Sequence, residues 1–147
     1  MALYYLDTSA ALKRVVKEEH QTSLINRLRQ LVRSDQQLCT SVVTWIEVER
    51  SLRALISRGV LPADYRVDLT APHATAGLAK IRLGSRVTQM ARWIGPNNLR
   101  SLDAIHLASA VIVGANTLIT YDNKLAVAAA ASGLTVESPG TNPYSAR

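Results

Sequence analysis

Short apolar runs that stop at a polar residue alternate along this chain with stretches in which apolar residues return every three or four positions. Leu3–Leu6 is such a run, read as a buried strand stopping at Asp7, and a helix follows Thr8 and Ser9. Leu24, Leu28, Leu31 and Val32 recur at helical spacing beneath exposed Arg27, Arg29 and Arg33. A second strand is expected over 38–43, and Ile46, Val48, Leu52, Leu55 and Ile56 then carry a long helix towards Gly59. Pro62 opens a helix ending near Ala76 or Gly77, followed by a short apolar piece around Ile81 and Leu83 and a helix through Val87, Met90, Ala91 and Ile94. Gly95-Pro96-Asn97-Asn98 breaks the chain, and Leu102-Asp103 opens a helix through Ile105, Leu107, Ala108 and Val111 to Gly114. The pattern closes with a strand over 117–120 that ends at Tyr121-Asp122, an Ala-rich helix over 123–132 stopped by Gly133, and a strand over 134–136 before Pro139.

Strands alternating with helices predict an α/β fold of three layers, α/β/α, around a central, mostly parallel sheet. In such a sheet a ligand crevice opens beyond the carboxyl ends of the strands. The length of 147 residues suits one domain, taken as 1–140, with 141–147 expected as a flexible tail.

Composition narrows the class. Apolar residues form 48% of the chain and charged residues 19%, as in a soluble globular protein. Seventeen Lys and Arg against eleven Asp and Glu leave a net charge of +6, which attracts polyanions such as RNA but would equally serve solubility. Cys39 is the single cysteine, so a disulfide framework and a multi-cysteine zinc site are excluded, and a reducing cytoplasm fits. No stretch approaches the roughly 20 apolar residues of a membrane span, and the start lacks a secretory pattern.

The acids change the picture most. Asp7 and Asp122 each follow a short apolar strand, so a parallel sheet would deliver both carboxylates to the same edge. Asp103 falls in the first turn of its helix, where the dipole favours an anion, and Glu47 in the opening turns of another. Glu47 and Glu49 point about 200° apart around their helix axis, so one of them at most faces a shared site. Repulsion among four converging carboxylates is relieved by hard divalent cations, Mg²⁺ or Mn²⁺, which suit phosphodiester hydrolysis. Taken singly, Asp7, Asp103 and Asp122 are also ordinary helix caps or turn formers, and Glu47 an ordinary solvated helix residue.

Four segments, YYLDTSA, TWIEVER, LDAIHLASA and LITYDNKLA, occur in the order and spacing of PIN-domain proteins, and the chain resembles a VapC-type toxin ribonuclease of a type II toxin–antitoxin system. The resemblance runs from about Leu3 to Pro139 and is strongest at the two ends. It implies a PIN-like fold, with Asp7, Glu47, Asp103 and Asp122 as an intact catalytic and metal-binding quartet. It also implies endonucleolytic cleavage of RNA with magnesium or manganese, a homodimer, and a co-produced antitoxin whose tail crosses the active-site groove.

Other polar residues are weighed beside the quartet. Thr8 and Ser9 either orient a carboxylate or cap the first helix, and Thr120 either supports Asp122 or simply favours a strand. His106, three positions after Asp103, is expected to be a packed or hydrogen-bonded histidine rather than a metal ligand. Arg50, three positions from Glu47, can pair with it or contact RNA. Aromatics are 5% of residues and unclustered, so Trp45, Trp93 and the tyrosines are assigned to core packing. An aspartyl-nucleophile phosphatase would carry a second Asp where Ser9 stands, and a dinucleotide site would need glycine in Thr8-Ser9-Ala10-Ala11. A PIN nuclease in RNA processing and a non-catalytic RNA-binding module remain the alternatives.

Overall fold

The computed structural model describes residues 1–141, so the flexible tail expected over 141–147 falls, beyond Thr141, outside the described residues. In chain order the elements are β1 (Leu3–Leu6), α1 (Thr8–Lys13), α2 (Gln21–Arg33), β2 (Gln37–Ser41), α3 (Val43–Ser57), α4 (Val67–Thr75), β3 (Ala79–Ile81), α5 (Ser85–Ala91), α6 (Ser101–Ile112), β4 (Thr117–Ile119), α7 (Asn123–Ala131) and β5 (Thr135–Glu137).

The strands form one sheet in the order β3-β2-β1-β4-β5, and every pairing is parallel. The chain winds outward from β1 through β2 to β3, then returns to the other side of β1 with β4. The order therefore reverses between β1 and β4, the place where an open parallel sheet generally leaves a crevice between the flanking loops. Leu6 is in register with Ile119, and the Asp7 N–H donates to the Ile119 carbonyl at 3.2 Å, so Asp7 leaves the sheet directly beside Thr120.

Alternation along the strands fills both faces. Tyr5, Cys39 and Leu118 pack against Leu107, Ala110, Leu125 and Ala128 of α6 and α7. Leu6 and Ile119 pack on the other face against Ala10 of α1 and Leu24, Leu28 and Leu31 of α2. A further cluster of Ala11, Val48, Leu52, Val67, Ala71 and Ala74 fastens α3 and α4 to α1. These are the three expected layers. Each fully buried Leu or Ile contributes roughly 1.5–3 kcal/mol, so the two sheet faces hold the strand ends rigidly where the site forms.

Several boundaries differ from the pattern reading. β2 stops at Ser41, two residues before the expected end at Val43, because the Ser41 hydroxyl accepts the Val43 N–H at 3.2 Å and turns the chain into α3. The helix expected from Pro62 begins only at Val67; Pro62 instead opens a turn closed by the Tyr65 N–H at 3.0 Å. Val32 and Ile46 match helical spacing yet are 62% exposed, since Leu31 and Val48 complete their buried stripes. Trp93, assigned to the core, is 71% exposed; neighbouring Ile94 packs inward in its place. No helix among the described residues is long and apolar enough to cross a membrane.

Candidate active site

Asp7 sits where β1 ends and α1 begins, 3% exposed. One carboxylate oxygen caps α1 by accepting the Ala10 N–H at 3.0 Å and also accepts the Ser9 hydroxyl at 2.7 Å. The other accepts the Thr120 hydroxyl at 2.6 Å, across the gap between β1 and β4. Burial raises the Asp7 pKa, and the charge of His106 with the Thr120, Ser9 and Ala10 donors opposes the rise without cancelling it. The Ser9 hydroxyl in turn accepts the Tyr121 N–H at 2.9 Å, and Thr120 accepts the Asp122 N–H at 3.0 Å. The loops after β1 and β4 are thus tied to each other through the carboxylate and two hydroxyls. Ser9 orients Asp7, one of its two expected roles; Thr120, expected beside Asp122, donates instead to Asp7 and reaches Asp122 only by accepting that residue's backbone N–H, and the cap of α1 is Asp7 itself, not Thr8 or Ser9.

Asp122 caps α7, accepting the Leu125 N–H at 2.9 Å. Capping and site placement thus coexist at Asp7 and Asp122, because a strand that ends in an acid and turns into a helix offers that acid both the helix N–H groups and the crevice. Asp103 is half-buried in the first turn of α6, and among the described residues no hydrogen bond reaches its carboxylate. Burial and the charge of Asp122 raise its pKa, with further upward pushes from Asp7 and Glu47 against a downward pull from His106. The other three acids all act on Asp103, so the four carboxylates share one field.

Glu47 reaches this field from α3. Its Oε1 accepts the Thr8 hydroxyl at 2.7 Å and lies 2.7 Å from His106 Nε2. Burial would raise its pKa, but the hydrogen bond and charge of His106, with Thr8, outweigh that and leave it below the usual carboxylate range. Glu49 points away to solvent, 3.8 Å from Arg53. Arg50, expected beside Glu47, lines the same shallow groove but forms no ion pair with it among the described residues; His106 and Thr8 occupy that role.

His106 is the participant that pattern reading left out of the site. It is 1% exposed and hydrogen-bonded, as expected, yet its partner is a member of the quartet. Nδ1 lies 2.7 Å from the Tyr5 hydroxyl, which itself accepts the Ser41 N–H at 3.1 Å. A line of bonds therefore runs from the end of β2 through Tyr5 and His106 to Glu47. The signal was present in the three-residue step from Asp103 to His106, but a helix step cannot say which residue of another helix lies opposite.

The quartet is gathered without forming a preassembled cage: among the described residues no three His, Cys, Asp or Glu side chains stand close enough together to hold a metal ion. The donor set is nonetheless oxygen-only and electrostatically strained at Asp103, which suits a hard cation that keeps several waters and takes one or two carboxylates directly.

The PIN domain family model matches residues 4–131. Ribonuclease VapC35 of Mycobacterium tuberculosis is 35% identical over 142 residues, covering 94% of this chain and 98% of the relative. Ribonuclease VapC46 of the same species is 34% identical over 141 residues, covering 95% and 99%. Among solved structures, VapBC2 from Rickettsia felis bound to a promoter DNA fragment aligns with a TM-score of 0.65 at 18% identity, over 92% of this chain and 97% of that one. Mycobacterium tuberculosis VapC20, described as a toxin that cleaves the sarcin-ricin loop, aligns with a TM-score of 0.63 at 15% identity, over 95% and 99%. With the expected fold, the four motifs in place and full-length relatives of this kind, the chain belongs to the PIN-domain family, among its VapC-type members.

Proposed function

We propose that the chain is a magnesium- or manganese-dependent endoribonuclease, acting in the cytoplasm as the toxin of a toxin–antitoxin pair. The observation that carries this reading is the Asp103 carboxylate, without a donor among the described residues and under the charges of Asp122, Asp7 and Glu47, near the switch point of the sheet. Near-full-length relatives named as VapC ribonucleases support the activity, and neighbours solved as VapBC complexes support an antitoxin partner. A homodimer is part of the same proposal.

Asp7, Glu47, Asp103 and Asp122 would hold the metal. When bound, such an ion stabilises negative charge on a phosphate and eases deprotonation of water. The chain's own work is to fix the acids. Ser9, Ala10 and Thr120 hold both oxygens of Asp7, and Thr8 with His106 holds one oxygen of Glu47, so neither carboxylate must reorganise as the phosphate arrives. The net charge of +6 favours RNA approaching this ring of acids.

The test is cleavage of total cellular RNA by antitoxin-free protein with Mg²⁺, Mn²⁺ or EDTA, for the parent chain and for Asp7→Asn and Asp103→Asn. Metal-dependent fragments lost in both variants are the expected result. Equal behaviour of folded parent and variants on every RNA would overturn the proposal.

A further inference from the structure

Between Asp68 and Asp103 the chain contains Lys80, Arg82, Arg86, Arg92 and Arg100 and no acid. All five cations are exposed, and none forms an ion pair among the described residues. Within this basic stretch lies Trp93, 71% exposed, at the rim of a pocket of about 400 Å³. Arg92, Asn97 and Leu83 line it on one side, and Ser101, Ala104 and Ile105 of α6 on the other.

We propose that this pocket is a nucleobase subsite, in which Trp93 stacks a base of the RNA substrate while Arg92 and its neighbouring arginines hold the adjoining phosphates. The inference rests on the ribonuclease reading and names a specificity surface for it. An indole exposed to water gains by covering its face, and a base supplies a flat apolar face attached to negative charge. The uncompensated cations select that occupant over an acid-free protein surface, and Asn97 adds an amide able to donate to and accept from a base edge. Location ties the subsite to the acids. Ser101, Ala104 and Ile105 lie on one face of the first turns of α6, and Asp103, in the same turn, projects from the far side of the helix, about one helix width away around its N-terminal end. A base in the pocket therefore belongs to a nucleotide near the scissile phosphate rather than at it.

The experiment uses Trp45→Phe, which leaves Trp93 as the only tryptophan, titrated with short oligouridylate and oligoadenylate in EDTA, where metal-dependent cleavage is absent. Quenching of Trp93 fluorescence by either RNA is expected. In cleavage assays with Mg²⁺, Trp93→Ala should raise KM roughly tenfold with kcat little changed, and Trp93→Tyr should restore most of the loss. Arg92→Ala should lower the slope of log affinity against log salt by about 0.7. Unquenched fluorescence together with a parental KM in Trp93→Ala would overturn the subsite while leaving the nuclease intact. So would a Trp93→Ala chain whose only change, by sedimentation, is loss of self-association, since the patch would then be an interface between copies. If the parent chain cleaves no RNA, the ribonuclease proposal fails, and quenching still decides whether Trp93 meets a base.

Discussion

Replacing Thr120 by Val probes how the two central strand ends are joined. Thr120 is fully buried, and Val matches its shape, so packing is nearly preserved and the hydroxyl alone is removed. Two short bonds go with it, the 2.6 Å donation to the Asp7 carboxylate and the 3.0 Å acceptance from the Asp122 N–H, together with a long 3.4 Å contact to the Ser9 hydroxyl. A bond to a charged group is worth about 1.5–3 kcal/mol, and an orphaned N–H that is only half-buried adds about 1 kcal/mol. The expected cost is about 3 kcal/mol, a large share of the roughly 5–15 kcal/mol that holds a domain folded. It has a pH signature. Burial already holds the Asp7 pKa above the ordinary aspartate value of 3.8, and losing a donor to the carboxylate raises it further. Because the native state then keeps its proton longer than the unfolded chain, stability falls as pH rises from that value through the native pKa. The variant falls further than the parent, so its deficit is largest at neutral pH and shrinks in acid. Urea unfolding followed by circular dichroism across pH 4–8, with Thr120→Ser as the hydroxyl-bearing control, measures this. A deficit that is the same at both ends of the pH range, or absent, would refute the account.

Three further outcomes follow from the same geometry. Asp103→Asn removes a carboxylate strained by burial and by Asp122, so it should abolish metal-dependent cleavage while raising the thermal midpoint at neutral pH in EDTA, with the gain fading in acid. Tyr5→Phe cuts the line from the Ser41 N–H to His106; about 1–2 kcal/mol of stability should be lost in urea titration, and kcat should fall because the His106 ring that holds Glu47 loses its own anchor. Arg27→Ala breaks the two bonds to Glu137, at 2.7 and 3.0 Å, that brace α2 against β5; up to about 1 kcal/mol should be lost, less in high salt, with RNA cleavage unchanged.

What the sequence made legible was the part governed by local periodicity. β1 and the strand before Asp122 are short apolar runs closed by an acid, and in a parallel sheet that alone sends Asp7 and Asp122 to one edge. Relations between distant elements were not legible. Nothing local distinguishes Arg50 from His106 as the partner of Glu47; the choice is made by α3 and α6 meeting across the end of β1. Likewise the helical spacing of Val32 and Ile46 marks a face, but how wide a face the neighbours cover is a tertiary matter, and both are left in water. Trp93 misled for the complementary reason: size and apolarity favour burial on average, and Ile94 fills the core position beside it.

The central place of β1 has a consequence for the birth of the protein. β1 is synthesised well before its partners on one side: its β4 neighbour and the Thr120 donor lie more than a hundred residues later. At ordinary elongation rates that delay is on the order of ten seconds. Through that interval Asp7 has neither its fixed orientation nor Asp122 beside it, so a nascent chain that has not reached Asp122 carries no complete acidic centre. If the centre cuts RNA as proposed, the machinery translating each copy is spared until β4 and Asp122 have been made, and a partner translated alongside has the same interval in which to fold and wait.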